Sequence, residues 1–170
     1  GKIEESVASY PELMYDGPFS DRLLKQEPVL IKDHKTISEN DAKKIAARAL
    51  GVKAEEILKD DASDNRIPEY SFKRGTVRIS VTKQGGFIRE IIDSRGVAKS
   101  KISVKEAVKK AGEYLTKLGY KNMEENYYVV NENVLTVNFA YVENSVTCYT
   151  DMIKVAVSLE DGRITGLEAT

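Results

Sequence analysis

The single histidine and the single cysteine of this 170-residue chain are its first candidates for acid–base or nucleophilic chemistry. His34 lies in the charged segment 32–35, and a general base needs a partner that orients it within a cleft. The segment supplies no such partner, so we interpret His34 as a solvated linker residue. Cys148 lies in the strand-like run 146–149, where no neighbouring cation or base would activate its thiol. Because cysteine is among the most buried residue types, we predict a core or half-buried role for it.

Three aspartates, Asp60, Asp61 and Asp64, are the best candidates for a metal site. They fail the spacing of an EF-hand loop. A loop that begins at Asp61 puts Arg66 where glycine is required and Phe72 where the bidentate glutamate belongs. We therefore predict a solvated loop and no metal site, and leave open a loose surface cation site at residues 60–64.

The glycine pairs do not match a phosphate-binding loop. Gly85-Gly86 lacks the trailing Lys-Ser/Thr of that motif and joins two predicted strands. Asp161-Gly162 is a hairpin signal of the same kind. No nucleophile-elbow sequence is present that His34 could serve. We predict no catalytic residue, no cofactor and no enzymatic activity.

Composition excludes several further classes of protein. The chain carries 26 basic and 27 acidic residues, mixed along its length, and no basic stripe. This distribution argues against a nucleic-acid partner. The apolar runs are too short for this part of the polypeptide to span a membrane. A single cysteine excludes an internal disulfide.

The elements that would position a site occur twice along the chain. Ser38 is the predicted N-cap of a first helix that ends at Gly51, and Ser103 is the N-cap of a second that ends at Gly119. Each helix leads into strand-like sequence that closes with a glycine-containing hairpin. Apolar residues recur at helical spacing in both. The predicted buried stripes are Ala42, Ile45, Ala46, Ala49 and Leu50, and Val104, Ala107, Val108, Ala111, Leu115 and Leu118.

These patterns predict an α+β fold of tandem units, each with one helix packed on an antiparallel sheet of three to four strands. The first repeat spans residues 36–98 and the second spans residues 99–170. Residues 1–35 form a lead-in segment that packs on the first unit. Alternation along the second repeat predicts one half-buried antiparallel strand most clearly. Its apolar positions are Leu135, Val137, Phe139 and Tyr141.

The lead-in segment is also the candidate docking surface. It is dense in aromatic and turn residues, and tyrosine is enriched in interface hot spots. We favour a strap that covers the first sheet, because loops this apolar are usually buried, and we keep partner binding as the alternative. The candidate partner-binding residues are Tyr10, Pro11, Tyr15, Asp16, Gly17, Pro18 and Phe19.

The segment from Tyr10 to Asp21, together with the Ile-Ser-x-x-x-Ala helix starts at Ile37 and Ile102, resembles the YpeB family of spore germination proteins. The resemblance is to the C-terminal PepSY-repeat region of that family. Each repeat resembles a PepSY domain, a unit named for peptidase propeptides and for this family. Together these motifs cover nearly the whole chain.

The resemblance implies a non-enzymatic protein whose PepSY repeats bind, stabilise and restrain a cortex-lytic cell-wall hydrolase during dormancy. It implies an extracytoplasmic location in the spore, near the inner spore membrane or cortex, and a membrane-associated parent protein. The family usually carries several repeats, which leaves open whether a further repeat follows these two. Two alternatives stay open: a cell-wall (peptidoglycan) binding module, and a peptidase-inhibitor-like propeptide domain.

Overall fold

Two α-helices and eight strands lie in the part of the chain that this computed structural model describes, residues 35–60, 68–143 and 146–169. The helices are α1 (Glu39–Leu50) and α2 (Val104–Lys117), and a short 3-10 helix follows α1 at Ala54–Glu56. The strands are β1 (Leu58–Lys59), β2 (Glu69–Arg74), β3 (Val77–Thr82), β4 (Ile88–Asp93), β5 (Met123–Asn131), β6 (Val134–Glu143), β7 (Val146–Ser158) and β8 (Ile164–Ala169).

All eight strands form one antiparallel sheet in the order β1-β2-β3-β4-β8-β7-β6-β5. Each half of the chain supplies one helix and four consecutive strands. The halves join where β4 pairs with β8, with Ile91 opposite Leu167 and Ile92 opposite Gly166. The predicted α+β class, with one helix on antiparallel strands in each unit, is confirmed. The two four-stranded parts are edge-paired into a single sheet.

Both helices pack on the same face of this sheet, which we call the helix face; the opposite face is the open face. Directly paired residues point to the same face of a sheet, so the pairing defines a buried row that crosses six strands. The row consists of Phe72, Ile79, Ile91, Leu167, Val155 and Val137. Buried apolar residues from both halves form one continuous core cluster beneath the helices.

The helix caps repeat in the two halves. The hydroxyl of Ser38 accepts a 3.0 Å hydrogen bond from the Asp41 N–H. The hydroxyl of Ser103 accepts one of the same length from the Glu106 N–H. Each bond satisfies a donor that the first helical turn cannot satisfy internally. Both predicted N-caps are confirmed.

The C-terminal ends of the helices also match. Gly51 terminates α1 with φ of 72°, the left-handed conformation that favours glycine. In α1 the Val52 N–H bonds to the Ala47 carbonyl at 3.0 Å, and in α2 the Tyr120 N–H bonds to the Leu115 carbonyl at 2.9 Å. These bonds close the last turn of each helix in the same way. Most of the predicted stripe residues are buried, and the remainder pack against the core. The buried ones are Ala42, Ala46, Ala49, Ala107, Ala111, Leu115 and Leu118.

The hairpins fall where the glycine signals predict them. Gly85-Gly86 joins β3 to β4, and Asp161-Gly162 lies between β7 and β8. A third tight hairpin joins β5 to β6 through Glu132 and Asn133, which both have positive φ. That backbone conformation matches the right-handed twist of paired strands. Neither described helix is long and apolar enough to cross a membrane.

Candidate functional site

Most of the candidate residues identified from the sequence lie outside the described residues. These are Tyr10, Pro11, Tyr15, Asp16, Gly17, Pro18, Phe19, His34, Asp61 and Asp64. The backbone of Cys148 pairs with Tyr141 where β7 meets β6. Asp60 is paired with Arg78 at 2.8 Å. Within residues 35–60, 68–143 and 152–169, no group of three His, Cys, Asp or Glu side chains is arranged to hold a metal ion.

An unusually exposed strand lies at one end of the sheet. Among the strands that the structure describes, β5 pairs with β6 alone, and four consecutive apolar residues in it remain accessible to solvent. Tyr127, Tyr128, Val129 and Val130 keep 52%, 50%, 57% and 46% of their surface exposed. Runs of exposed apolar side chains on a soluble protein mark interaction sites. We call this strand and its unpaired side the β5 edge.

The β5 edge is exposed on both faces of the sheet. Tyr128 is opposite the buried Val137, so its side chain points to the helix face. Tyr127 is opposite Asn138 and points to the open face. Helix α2 contacts β5, and Met123 at the start of the strand packs against the core. The four apolar residues further along β5 are therefore left uncovered.

The backbone of the β5 edge offers hydrogen-bonding groups on its outer side. Asn131 and Val134 form the pair that closes the two-residue hairpin loop. Because hydrogen-bonded and non-hydrogen-bonded pairs alternate along an antiparallel ladder, every second residue of β5 directs its N–H and C=O away from β6. Counted from the closing pair, Tyr128 and Val130 are two of these residues. No described strand pairs with that side of β5.

The opposite edge of the sheet is much less available. Strand β1 consists of Leu58 and Lys59 alone, and its lysine forms a 3.3 Å ion pair with Glu39 of α1. Very short edge strands and lysine are common protections against unwanted strand pairing. The nine residues of β5 contain neither lysine nor proline. Only one irregularity in pairing, between Glu125 and Tyr127, interrupts its ladder.

The charged side chains of β5 and of its hairpin loop are all acidic. No lysine, arginine or histidine occurs between Lys121 and Lys154. Glu124 and Glu125 lie at the start of β5 and Glu132 lies in the hairpin loop at its end, and all three are exposed. The edge therefore has an apolar centre between two acidic ends.

The groove between the two helices is a concave feature of the described residues. It contains two open cavities of 180 and 270 Å³ on either side of the contact between Ala49 and Tyr114. Both are smaller than typical small-molecule pockets of about 300–1,000 Å³. Burial, and to a lesser extent the nearby Tyr120, raises the pKa of Tyr114, so its hydroxyl stays protonated. Arg74 at the groove is paired with Glu56 at 2.8 Å. We interpret this groove as a structural contact.

The strand-like sequence of residues 127–130 predicts a strand but does not by itself identify a sheet edge. The available signal is the run Glu-Glu-Asn-Tyr-Tyr-Val-Val-Asn-Glu. Its four adjacent apolar residues break the period of two that a half-buried strand shows. Flanking acidic residues resemble the charges that natural proteins place at sheet edges.

Comparisons with known proteins give the chain a family. A family model described as "YpeB sporulation, PepSY1 and PepSY2 domains" matches residues 1–170. The sporulation protein YpeB of Bacillus subtilis is 29% identical over 147 residues, which cover 79% of this chain and 32% of that protein. Its counterpart in Halalkalibacterium halodurans is 28% identical over 144 residues, covering 81% and 32%.

A solved structure gives the same result. The Bacillus megaterium YpeB C-terminal domain superposes with a TM-score of 0.71 at 26% identity, covering 79% of this chain and 64% of that one. This chain spans about a third of the length of the curated relatives that it matches. Its eight-stranded sheet with two helices is consistent with two PepSY units. Sequence and structure agree that the chain belongs to the YpeB sporulation family, within its first two PepSY domains, a family without known catalytic activity.

Proposed function

We propose that this chain is a non-enzymatic binding module that stabilises and restrains a cortex-lytic cell-wall hydrolase in the dormant spore. The family supplies the sporulation setting. The observation that carries the proposal is the β5 edge, an exposed apolar strand with an unpaired backbone among the described residues. An unpaired sheet edge binds another protein through main-chain hydrogen bonds without needing a deep pocket.

The physical mechanism is linkage between binding and folding. A module that binds the folded hydrolase and not its unfolded chain shifts the hydrolase toward the folded state by mass action. At a free concentration 100 times the dissociation constant, this adds about 2.7 kcal/mol to hydrolase stability. If the bound state also covers the hydrolase cleft, the same complex lowers activity until germination separates the partners.

The proposal keeps the predicted layout of the chain. Repeats at residues 36–98 and 99–170 present the sheet, and the lead-in segment at residues 1–35 packs on the first repeat. Within that segment, the residues from Tyr10 to Phe19 supply a second partner contact. The assembly works outside the cytoplasm, near the inner spore membrane or cortex, as part of a membrane-associated parent protein.

The test is a melting experiment on the purified cortex hydrolase with and without the 170-residue chain. We expect the melting temperature of the hydrolase to rise by about 2–4 °C for each kcal/mol that binding contributes. An unchanged melting temperature with the chain at well above micromolar concentration would contradict direct binding by these two repeats. Hydrolase activity on cortex fragments, measured in the same mixtures, separates stabilisation from restraint.

A peptidoglycan-binding module is the second candidate, and the exposed rings of Tyr127 and Tyr128 are what favour it. Tyrosine rings pack on apolar surface and carry a hydroxyl that reaches water. However, adjacent strand residues point to opposite faces, so these two rings do not form one flat platform. Retention of the chain on purified cortex peptidoglycan in the absence of hydrolase would favour this second function.

A further inference from the structure

We propose that the β5 edge accepts one extended segment of a partner protein as a ninth strand, and that this segment has an apolar, β-branched centre between basic ends. The inference deepens the proposed function and rests on it, because it takes the segment to belong to the hydrolase. It specifies the secondary structure, the composition and the charge of the bound segment.

The backbone of the β5 edge supports strand addition. Tyr128 and Val130 direct their N–H and C=O groups outward, as the alternation from the closing pair at Asn131 requires. A bound strand would convert these solvent-facing groups into ladder hydrogen bonds without any rearrangement of β6. A helix or a globular face bound at this edge would leave the same groups unpaired and dehydrated, which is unfavourable.

The side chains of the β5 edge define the centre of the segment. On the helix face Tyr128 and Val130 are half exposed, and on the open face Tyr127 and Val129 are half exposed. A strand placed alongside would put its own side chains next to apolar neighbours on both faces. Aromatic and β-branched cross-strand pairs are the favourable ones, so the segment needs β-branched residues at successive positions.

Charge complementarity defines the ends of the segment. Glu124, Glu125 and Glu132 bracket the apolar centre, and no basic side chain follows until Lys154. Like charges directly opposite each other in a sheet are destabilising and opposite charges are favourable. Basic residues about eight positions apart would therefore meet the acidic ends when the apolar centres coincide.

The same charges argue against a second copy of this chain as the occupant. Two β5 strands paired edge to edge would collect both sets of Glu124, Glu125 and Glu132 along one seam. Neither copy has a lysine, arginine or histidine in residues 122–153 to compensate. Self-association through this edge would therefore be opposed by repulsion at both of its ends.

The experiment measures binding of short labelled peptides to the 170-residue chain by fluorescence anisotropy. The probe is Lys-Lys-Val-Thr-Val-Thr-Val-Thr-Lys-Lys, and its matched control has glutamate in place of every lysine. We expect the basic peptide to bind at least about tenfold more tightly, from several exposed charge pairs acting together. The preference should weaken as salt rises. Equal affinity, or no binding of the basic peptide, would overturn the proposal.

A charge reversal on the protein supplies the matched variant. Glu124→Lys, Glu125→Lys and Glu132→Lys are combined, since all three side chains are exposed and their replacement leaves the core intact. The variant should prefer the glutamate peptide. A third peptide, Lys-Lys-Val-Pro-Val-Pro-Val-Thr-Lys-Lys, keeps the charge and cannot add as a regular strand. Binding of this peptide as tight as that of the first would mean simple charge attraction and would contradict strand addition.

Hydrogen exchange of single amides reports the binding mode without any mutation. The amide protons of Tyr128 and Val130 should exchange quickly in the free chain and slowly with saturating basic peptide. The Val129 amide, which the ladder directs toward β6, should be protected in both states. Unchanged exchange at Tyr128 and Val130 in the saturated complex would rule out the ninth strand.

The outcomes separate this inference from the proposed function. If the triple charge-reversal variant stabilised the hydrolase as much as the parent chain does, the strand-addition site would be contradicted and the proposed function would be unaffected. If the peptides bound with the expected charge preference but the chain changed neither the stability nor the activity of the hydrolase, the proposed function would be contradicted and the strand-addition site would be supported. A dimer of the chain that forms at micromolar concentration and protects the Tyr128 amide would make a second copy the occupant and overturn the inference.

Discussion

The Tyr114 hydroxyl of α2 donates a 2.9 Å hydrogen bond to the carbonyl of Ala49 in the last turn of α1. The bond joins residues 65 positions apart and links the helix of one half to the helix of the other. It also satisfies a carbonyl at a helix end, where four such groups have no partner within the helix. Together with the pairing of β4 and β8, it fixes the two halves relative to each other.

Replacing Tyr114 with Phe should destabilise the chain by about 1–2 kcal/mol. The change removes the donor and leaves the Ala49 carbonyl without it in a part-buried site. Urea unfolding followed by circular dichroism measures the effect. Tyr127→Phe is the matched control. The Tyr127 ring is half exposed on the β5 edge, so this substitution should leave the free energy of unfolding almost unchanged. Equal stabilities of the two variants would show that this hydrogen bond does not help to hold the two halves together.

Replacing Gly166 with Val should weaken the junction between the halves. A Cβ atom at Gly166 would lie 3.3 Å from the Ala156 Cβ and 3.4 Å from the Ile91 carbonyl oxygen, so a branched side chain overpacks the site. We expect the free energy of unfolding to fall by about 1–3 kcal/mol, measured by thermal unfolding. Gly96→Val is the control, because nothing lies within 4 Å of a Cβ there. A loss as large in the control would show that generic backbone effects, and not the junction, cause the change.

Stability should fall in acid partly through Asp93. Burial alone would raise the pKa of Asp93, but hydrogen bonds from the Thr76 hydroxyl and the Arg95 N–H, with nearby arginine charges, outweigh it and lower the pKa. A carboxyl with a lowered folded-state pKa contributes stability above its unfolded pKa, and that stability is lost as pH falls through the folded value.

Asp93→Asn should therefore be less stable than the parent at pH 7, by about 1 kcal/mol, and the difference should shrink below about pH 4. Denaturant unfolding at a series of pH values measures it. Glu124→Gln, at an exposed position on β5, serves as the control. If the difference in unfolding free energy between Asp93→Asn and the parent stayed constant across that pH range, the charge of Asp93 would not be what stabilises the fold.

Glu69 should show the opposite dependence on pH. Burial raises the pKa of Glu69, and the Arg89 charge and hydrogen bond only partly oppose it. A raised folded-state pKa means that stability is fully present below the unfolded value and is lost as pH rises through the folded value. The Glu69 side chain is 2% exposed, whereas that of Arg89, 2.5 Å away, is 39% exposed.

Glu69→Gln should accordingly gain stability relative to the parent as pH rises from about 4 to 7, by up to about 1 kcal/mol. The glutamine amide oxygen can still accept a hydrogen bond from Arg89, which keeps enough exposure to stay hydrated. Glu125→Gln, at an exposed position on β5, is the comparison. A relative loss of stability over that interval would show that the ion pair outweighs the cost of burying the carboxylate.

Polar replacements on the β5 edge should weaken binding and leave folding unchanged. We expect Tyr127→Ser with Val129→Ser to weaken the complex with the cortex hydrolase by about 2 kcal/mol or more, if this edge contains the hot spot. Titration calorimetry measures the affinity and circular dichroism checks the fold. Ile92→Ser, on β4 and 46% exposed, is the control surface. Unchanged affinity in the double variant would place the interface elsewhere.

Local signals in the sequence predict the helices and hairpins of this fold correctly. Ser38 and Ser103 mark the helix starts because their hydroxyls satisfy N–H groups three residues along the same chain. Gly51 marks a helix end because the backbone there has positive φ. Such features depend on neighbours in sequence, so residue type and spacing identify them directly.

Long-range pairing explains what the sequence left undetermined. Ile91 and Leu167 would be buried in many strand arrangements, and nothing in the sequence of either strand indicates that they pair across the junction. The exposure of Tyr127 has the same origin, since a strand becomes an edge only when no other strand pairs with it. Strand β6 was predicted to be half-buried, and the structure also buries Asn138 and Ala140, beside the irregular pairing at Tyr141.

The junction between the halves pairs equivalent strands, β4 after the Gly85-Gly86 turn and β8 after the Asp161-Gly162 turn. The repeats therefore meet tail to tail, and this contact uses the same element from each of them. An isologous contact of this kind buries the same surface of both repeats, so no copy of that surface remains for a third repeat. Any additional repeat in a longer relative must attach through a different surface, so a filament of identically joined repeats is geometrically forbidden.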